Sequence, residues 1–120
     1  MRVAWVDTDA GGRIHFTAAF RWAEAAETAL RRRRGLLEGW ADYPRRRVEA
    51  EYRAVLRFED ELAVRIRPDR VGRTSITWVW EILRGGELCV VGRHTVVHVA
   101  PDGRPAPLPD RVRERLIPSS

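Results

Sequence analysis

The sequence predicts an α+β domain in which one long helix is wrapped by a single curved antiparallel sheet of about five strands. Three observations carry this prediction. The chain has 120 residues, room for one core of ordinary size and not for two. Apolar residues recur at helical spacing only between Thr17 and Arg34, and afterwards switch to alternation. Turn signals then separate the alternating runs at intervals of about 10 to 12 residues, the spacing of a meander.

Taken in order, Val3 to Val6 reads as a strand entering the loop Asp7-Thr8-Asp9-Ala10-Gly11-Gly12, where short acids and two glycines favour a tight turn. The helix follows, with Ala19, Trp22, Ala23, Ala26, Ala29 and Leu30 on one stripe. Thr17 stands where an N-cap belongs, and Arg31 to Arg34 followed by Gly35 suit a helix C-terminus. Small side chains on the stripe let a curved sheet approach closely. Val48, Ala50, Tyr52 and Ala54 then alternate with Glu49, Glu51 and Arg53, and Leu62, Val64 and Ile66 alternate with Ala63, Arg65 and Arg67. Ile76, Trp78, Trp80 and Ile82 form a third row. Leu88 to Val99, apolar on nearly both faces, reads as a central strand. The turn-rich Pro101 to Pro107 marks residues 101–120 as a C-terminal tail on a module that ends near Val99, within one domain spanning 1–120.

Composition narrows the function classes. The chain is 44% hydrophobic and 32% charged, values of a folded globular domain. No apolar run approaches the roughly 20 residues of a membrane helix, which sets a cytoplasmic expectation without a membrane partner. Cys89 stands alone, so an intrachain disulfide or thiolate metal cluster is excluded, and its place in an apolar run reads as core. The net charge of +5 comes from 22 basic residues that are all Arg, a pattern of composition bias, and no nucleic-acid partner is expected from it. Gly-x-Ser-x-Gly and phosphate-cradling loops are absent from the sequence, and Ser75, Ser119 and Ser120 have no evident base. His94 and His98 lie about 13 Å apart on one strand, too far to share a metal. The acidic loop lacks ligands at Gly11 and Ala18 that calcium would need. What remains is a carboxylate on a glycine-rich turn ahead of a helix N-terminus. Such a group can activate water or attack a carbonyl polarised by free backbone N–H donors; equally, Asp7 and Asp9 can serve only to cap the turn.

The stretch from Asp7-Thr-Asp9 through Gly12, His15-Phe16 and Arg21-Trp22-Ala-Glu24 resembles the signature of the 4-hydroxybenzoyl-CoA thioesterase family of hot-dog fold acyl-CoA thioesterases. Leu56-Arg-Phe58 with Asp60-Glu-Leu62, and Val71-Gly-Arg-Thr-Ser-Ile76, are similar as well, so the resemblance runs from about Val3 to Val99. It implies that Asp9 is the catalytic carboxylate, nucleophile or general base, and that a backbone N–H near Phe16 forms the oxyanion site. It implies that Gly12 permits close approach of the backbone and that His15, Phe16, Glu24 and Arg73 belong to the substrate site, although His15 can equally serve only to cap the helix. Glu24 fits a structural hydrogen-bonding role equally. Arg70, Arg73 and Arg45 to Arg47 are candidates for CoA phosphates, though in so arginine-rich a chain each fits a solvated face better, and Phe16, Trp22 and Tyr52 are candidates for the acyl pocket. Ala18-Ala19 departs from the Asn-Tyr of many members. A homodimer or homotetramer is implied, acting on an acyl-CoA or acyl-carrier-protein thioester with water as second substrate and no metal or cofactor. No particular acyl group is implied. Two other classes stand beside this one: a non-catalytic hot-dog module that binds the same thioesters, and a basic nucleic-acid binder using Arg31 to Arg34 and Arg45 to Arg47.

Overall fold

The computed structural model describes residues 1–39 and 42–117; Ser119 and Ser120 lie outside the described residues. Its elements are α1 (Ala18–Arg33), β1 (Arg45–Tyr52), β2 (Ala63–Val71), β3 (Ser75–Arg84), β4 (Glu87–Val97) and α2 (Asp110–Leu116). The four strands form one antiparallel sheet in the order β1-β4-β3-β2, so the most apolar strand is central as its composition requires. One face of the sheet packs on α1. Its register aligns Ala50, Gly92, Trp80 and Ile66 in one row across all four strands. Gly92 is dictated by this row: a Cβ there would sit 2.2 Å from the Trp80 ring, which lies across the missing side chain. Trp80 anchors one core cluster with Val3, Ala19, Ala23, Leu56 and Val90, while Trp78 anchors a second with Leu30, Tyr43, Val96, Leu108 and Leu116.

The α+β class and the hot-dog arrangement are as the sequence predicts, with two differences in the elements. The sheet has four strands. The expected fifth, Val3 to Val6, turns into a 3-10 helix at Trp5–Asp7 because the Asp7 Oδ2 accepts the Ala4 N–H at 2.9 Å and bends the chain after Val3. Only an isolated bridge, Arg2 to Glu61, and backbone bonds around Val3 hold it beside the segment leading to β2. Residues beyond Val99 are also more than a tail: Leu108, Val112 and Leu116 are buried, and α2 closes the second core cluster. Reciprocal bonds from Arg34 to the Arg115 carbonyl and from Arg115 to the Arg34 carbonyl tie α2 to the end of α1.

The buried stripe of α1 contains two charged residues among its alanines, Glu27 and Arg31. Glu27 Oε1 accepts hydrogen bonds from His94 Nε2 at 2.7 Å and from Arg45 at 3.0 Å, and its Oε2 accepts from Arg31 Nε at 3.3 Å. Trp80 Nε1 donates to His94 Nδ1 at 3.1 Å, which fixes the His94 proton on Nε2, where Glu27 receives it. Arg31 stacks over the Tyr43 ring at 4.4 Å. Burial pushes the Glu27 carboxyl upward, but the His94 hydrogen bond and the charges of Arg45 and Arg31 outweigh it and hold the group below its ordinary value. His94 thus takes a hydrogen-bonding place in the core, and Cys89 is fully buried, its thiol pushed up by burial.

Candidate active site

The loop between the 3-10 turn and α1 is built on two aspartates with opposite duties. Asp7 is buried. Its Oδ1 accepts from Arg21 on α1 at 2.9 Å, its Oδ2 from Ala4, and its carbonyl from the His15 N–H at 2.6 Å. These bonds consume both carboxylate oxygens and fasten the loop to the helix. Asp9 is exposed. Its Oδ1 accepts the Gly11 N–H at 2.8 Å, its N–H donates to the Arg13 carbonyl at 2.8 Å, and its carbonyl accepts the Gly12 N–H at 3.1 Å. Gly12 completes this turn at φ +79°, a backbone angle that glycine adopts without strain. Asp9 Oδ2 has no partner among the described residues.

The helix start is assembled unusually. The sequence places Thr17 as a side-chain cap for α1; instead its hydroxyl bonds His15 Nδ1 at 2.8 Å, and no side-chain cap bond forms. The Thr17 N–H also donates to His15 Nδ1, at 3.3 Å, so the neutral ring carries its proton on Nε2. His15 stacks on Phe16 with centroids 4.6 Å apart. The Phe16 N–H has no partner among the described residues, whereas the Phe16 carbonyl accepts the Tyr52 hydroxyl from the end of β1. Burial pushes the Tyr52 phenol above its ordinary value, so it remains a donor at neutral pH.

These parts meet in a cleft of about 650 Å³ walled by Asp9, Arg13, Ile14, His15 and Phe16 on one side and by Tyr52 through Leu56 on the other. A hollow of similar volume on the outer sheet face is lined by strand residues, among them Glu49, Glu51, Arg65, Arg67, Glu81 and Arg93, and no loop residue borders it. Of the residues expected at the site, Asp9, His15, Phe16 and Tyr52 converge on the cleft, and Gly12 shapes its loop. Glu24 lies on the exposed face of α1, 3.6 Å from Arg45. Arg73 sits in the β2–β3 turn, where its carbonyl accepts the Leu108 N–H, at the opposite end of the sheet from the cleft. Trp22 is buried in the first core cluster and does not line the cleft. Arg13 and Arg53 are cleft residues that sequence reasoning missed. The position of Arg13, one residue after Gly12, was the available signal.

A carboxylate oxygen and an N–H at a helix start, each without a hydrogen-bond partner among the described residues, lie with an aromatic wall on one cleft of this fold, an arrangement suited to a hot-dog thioester hydrolase. The comparisons agree with that class. The sequence model of the thioesterase-like superfamily matches residues 3–116, and the chain belongs to that superfamily. It is 31% identical to a 1,4-dihydroxy-2-naphthoyl-CoA hydrolase of Synechococcus sp. (strain CC9605), over 98% of this chain and 87% of that protein. Among solved structures it superposes on a thioesterase complexed with coenzyme A and zinc from Thermus thermophilus with a TM-score of 0.85 at 29% identity, over 97% of this chain and 89% of the other. A gentisyl-coenzyme A thioesterase shares the fold at a TM-score of 0.87 and 21% identity, over 97% and 96% of the two chains. Among the described residues no helix is long and apolar enough to cross a membrane.

Proposed function

We propose that this protein hydrolyses aromatic acyl-CoA thioesters, with Asp9 as the catalytic carboxylate and the Phe16 N–H as oxyanion donor. The observation that carries the reading is the pairing, on one cleft, of the free Asp9 oxygen with the free Phe16 N–H. A thioester whose carbonyl oxygen docks on that N–H becomes more electrophilic. Asp9 then either attacks the carbonyl carbon, giving a mixed anhydride that water cleaves, or takes a proton from water as it attacks. Either route consumes one water and yields the free acid and CoA-SH. His15 Nε2–H is a further donor within the cleft, and the flat surfaces of Phe16, His15 and Tyr52 suit a planar acyl group. The dihydroxynaphthoyl thioester for which the 31%-identical relative is named favours the aromatic class. Arg13 and Arg53 at the cleft supply positive charge for the CoA phosphates. The exposed β1 edge pairs with a second copy in a homodimer, which covers its open backbone groups.

The test is release of free thiol from aromatic, short, long and branched acyl-CoAs by the wild type and by Asp9→Asn. Turnover of the aromatic members that disappears in Asp9→Asn is the expected result. Wild-type rates in that variant overturn the mechanism, and a preference for long aliphatic chains overturns the acyl class.

A further inference from the structure

The hydrogen-bond ladder of α1 skips one carbonyl. Phe20 and Arg21 both donate to Thr17, and Ala18 donates back to His15, so no helix N–H uses the Phe16 carbonyl. Among the described residues its one hydrogen-bond partner is the Tyr52 hydroxyl, which arrives from a different element, the last residue of β1. Through that bond the strand holds the Phe16–Thr17 peptide plane. The plane carries the Thr17 N–H that sets the His15 tautomer, and it adjoins the Phe16 N–H that faces no protein partner. Rotating it would break the Thr17 N–H bond to the His15 ring and change the torsion at Phe16, loosening the hold on the adjoining peptide plane that carries the Phe16 N–H.

We infer that Tyr52 is a positioning residue for thioester hydrolysis: its hydroxyl clamps the Phe16 carbonyl and thereby aims the Phe16 N–H and the His15 ring at the substrate carbonyl. This rests on the reading of Asp9 and Phe16 proposed above. It assigns Tyr52 a task distinct from the acyl-pocket wall suggested by its aromatic ring, because the polar end of the side chain is spent on the backbone. The phenol forms no bond to substrate, so its loss acts on the transition state through geometry. A displacement of about 1 Å at such a donor lowers turnover by up to about 100-fold.

Tyr52→Phe keeps the ring and removes only the hydroxyl, at a position that is 43% exposed, so folding is not at issue. Steady-state kinetics on benzoyl-CoA and butyryl-CoA, with Asp9→Asn alongside, read the effect. The expected result is a fall in kcat of roughly 10- to 100-fold for both substrates, with KM changed by less than about twofold. Amide hydrogen exchange should quicken at Thr17 while the middle of α1 stays protected. An unchanged kcat, a raised KM at constant kcat, or a loss confined to benzoyl-CoA would overturn the inference and return Tyr52 to the pocket wall. Full activity in Asp9→Asn would bring down the underlying reading as well, and is seen separately from any effect at position 52.

Discussion

Asp9 and Glu27 are carboxylates at opposite ends of one design. Asp9 is exposed on a loop, held by the Gly11 N–H on one oxygen and open on the other. Glu27 is buried under the sheet with His94, Arg45 and Arg31 shared between its two oxygens. Three donors engage the two oxygens of Glu27 and the sheet closes it off from solvent, whereas Asp9, positioned by its own backbone turn, keeps one oxygen open. Availability, more than charge or burial, separates the proposed catalytic acid from the architectural one.

That contrast can be broken from either side. The largest effect is expected at the loop: Asp9→Asn should reduce kcat by about 10²- to 10⁴-fold while the denaturant midpoint stays near wild type. Retained turnover would erase the distinction. Glu27→Gln should do the reverse, lowering stability by about 3 to 5 kcal/mol because Arg31 and Arg45 lose their counter-charge, with kcat per folded molecule preserved. Urea unfolding followed by circular dichroism reads the first quantity and active-site-normalised kinetics the second. The folded Glu27 carboxyl lies below its ordinary value, so its contribution is fully present above the unfolded value near 4.5 and is lost as pH falls through the lower folded value. Acid titration of stability should therefore flatten below pH 4.5 in Glu27→Gln relative to wild type. Gly92→Ala, which forces a methyl into the Trp80 ring and so disturbs the His94 bond to Glu27, should cost about 1 to 3 kcal/mol. At the small end, Arg2→Ala breaks an ion pair whose side chains are 65% and 72% exposed, and should change stability by less than about 1 kcal/mol.

Much of this arrangement is legible in the residues. The switch from helical to alternating period places α1 and the four strands, because burial on one face leaves a direct trace in the apolar pattern. Asp9, His15 and Phe16 are legible for a different reason: a glycine-rich turn and a helix start are local, so their neighbours in sequence are their neighbours in space. Long-range partners leave no such trace. Glu27 and Arg31, four apart, read as an ordinary ion pair on a helix surface, since the Arg45 and His94 that also bond Glu27 in the core come from β1 and β4. Arg73 fits a phosphate contact by type, but strand direction carries it away from the cleft. Helix α2 is hidden behind four prolines between Pro101 and Pro109, although Val112 and Leu116, four residues apart, mark its buried face. Val3 to Val6 has strand composition, and only the Asp7 side chain reaching back to Ala4 redirects it.

The strapping of α2 across the second core cluster also orders events during synthesis. Every buried member of the cluster around Trp80 lies between Val3 and Val90, so this half of the interior, with the cleft beside it, has all its parts once β4 has left the ribosome. The half around Trp78 waits for Leu108, Val112 and Leu116. Until residue 116 emerges, Ile76, Trp78 and Val96 lack the cover that Leu108, Val112 and Leu116 give them, while the end beside the cleft already has all its parts.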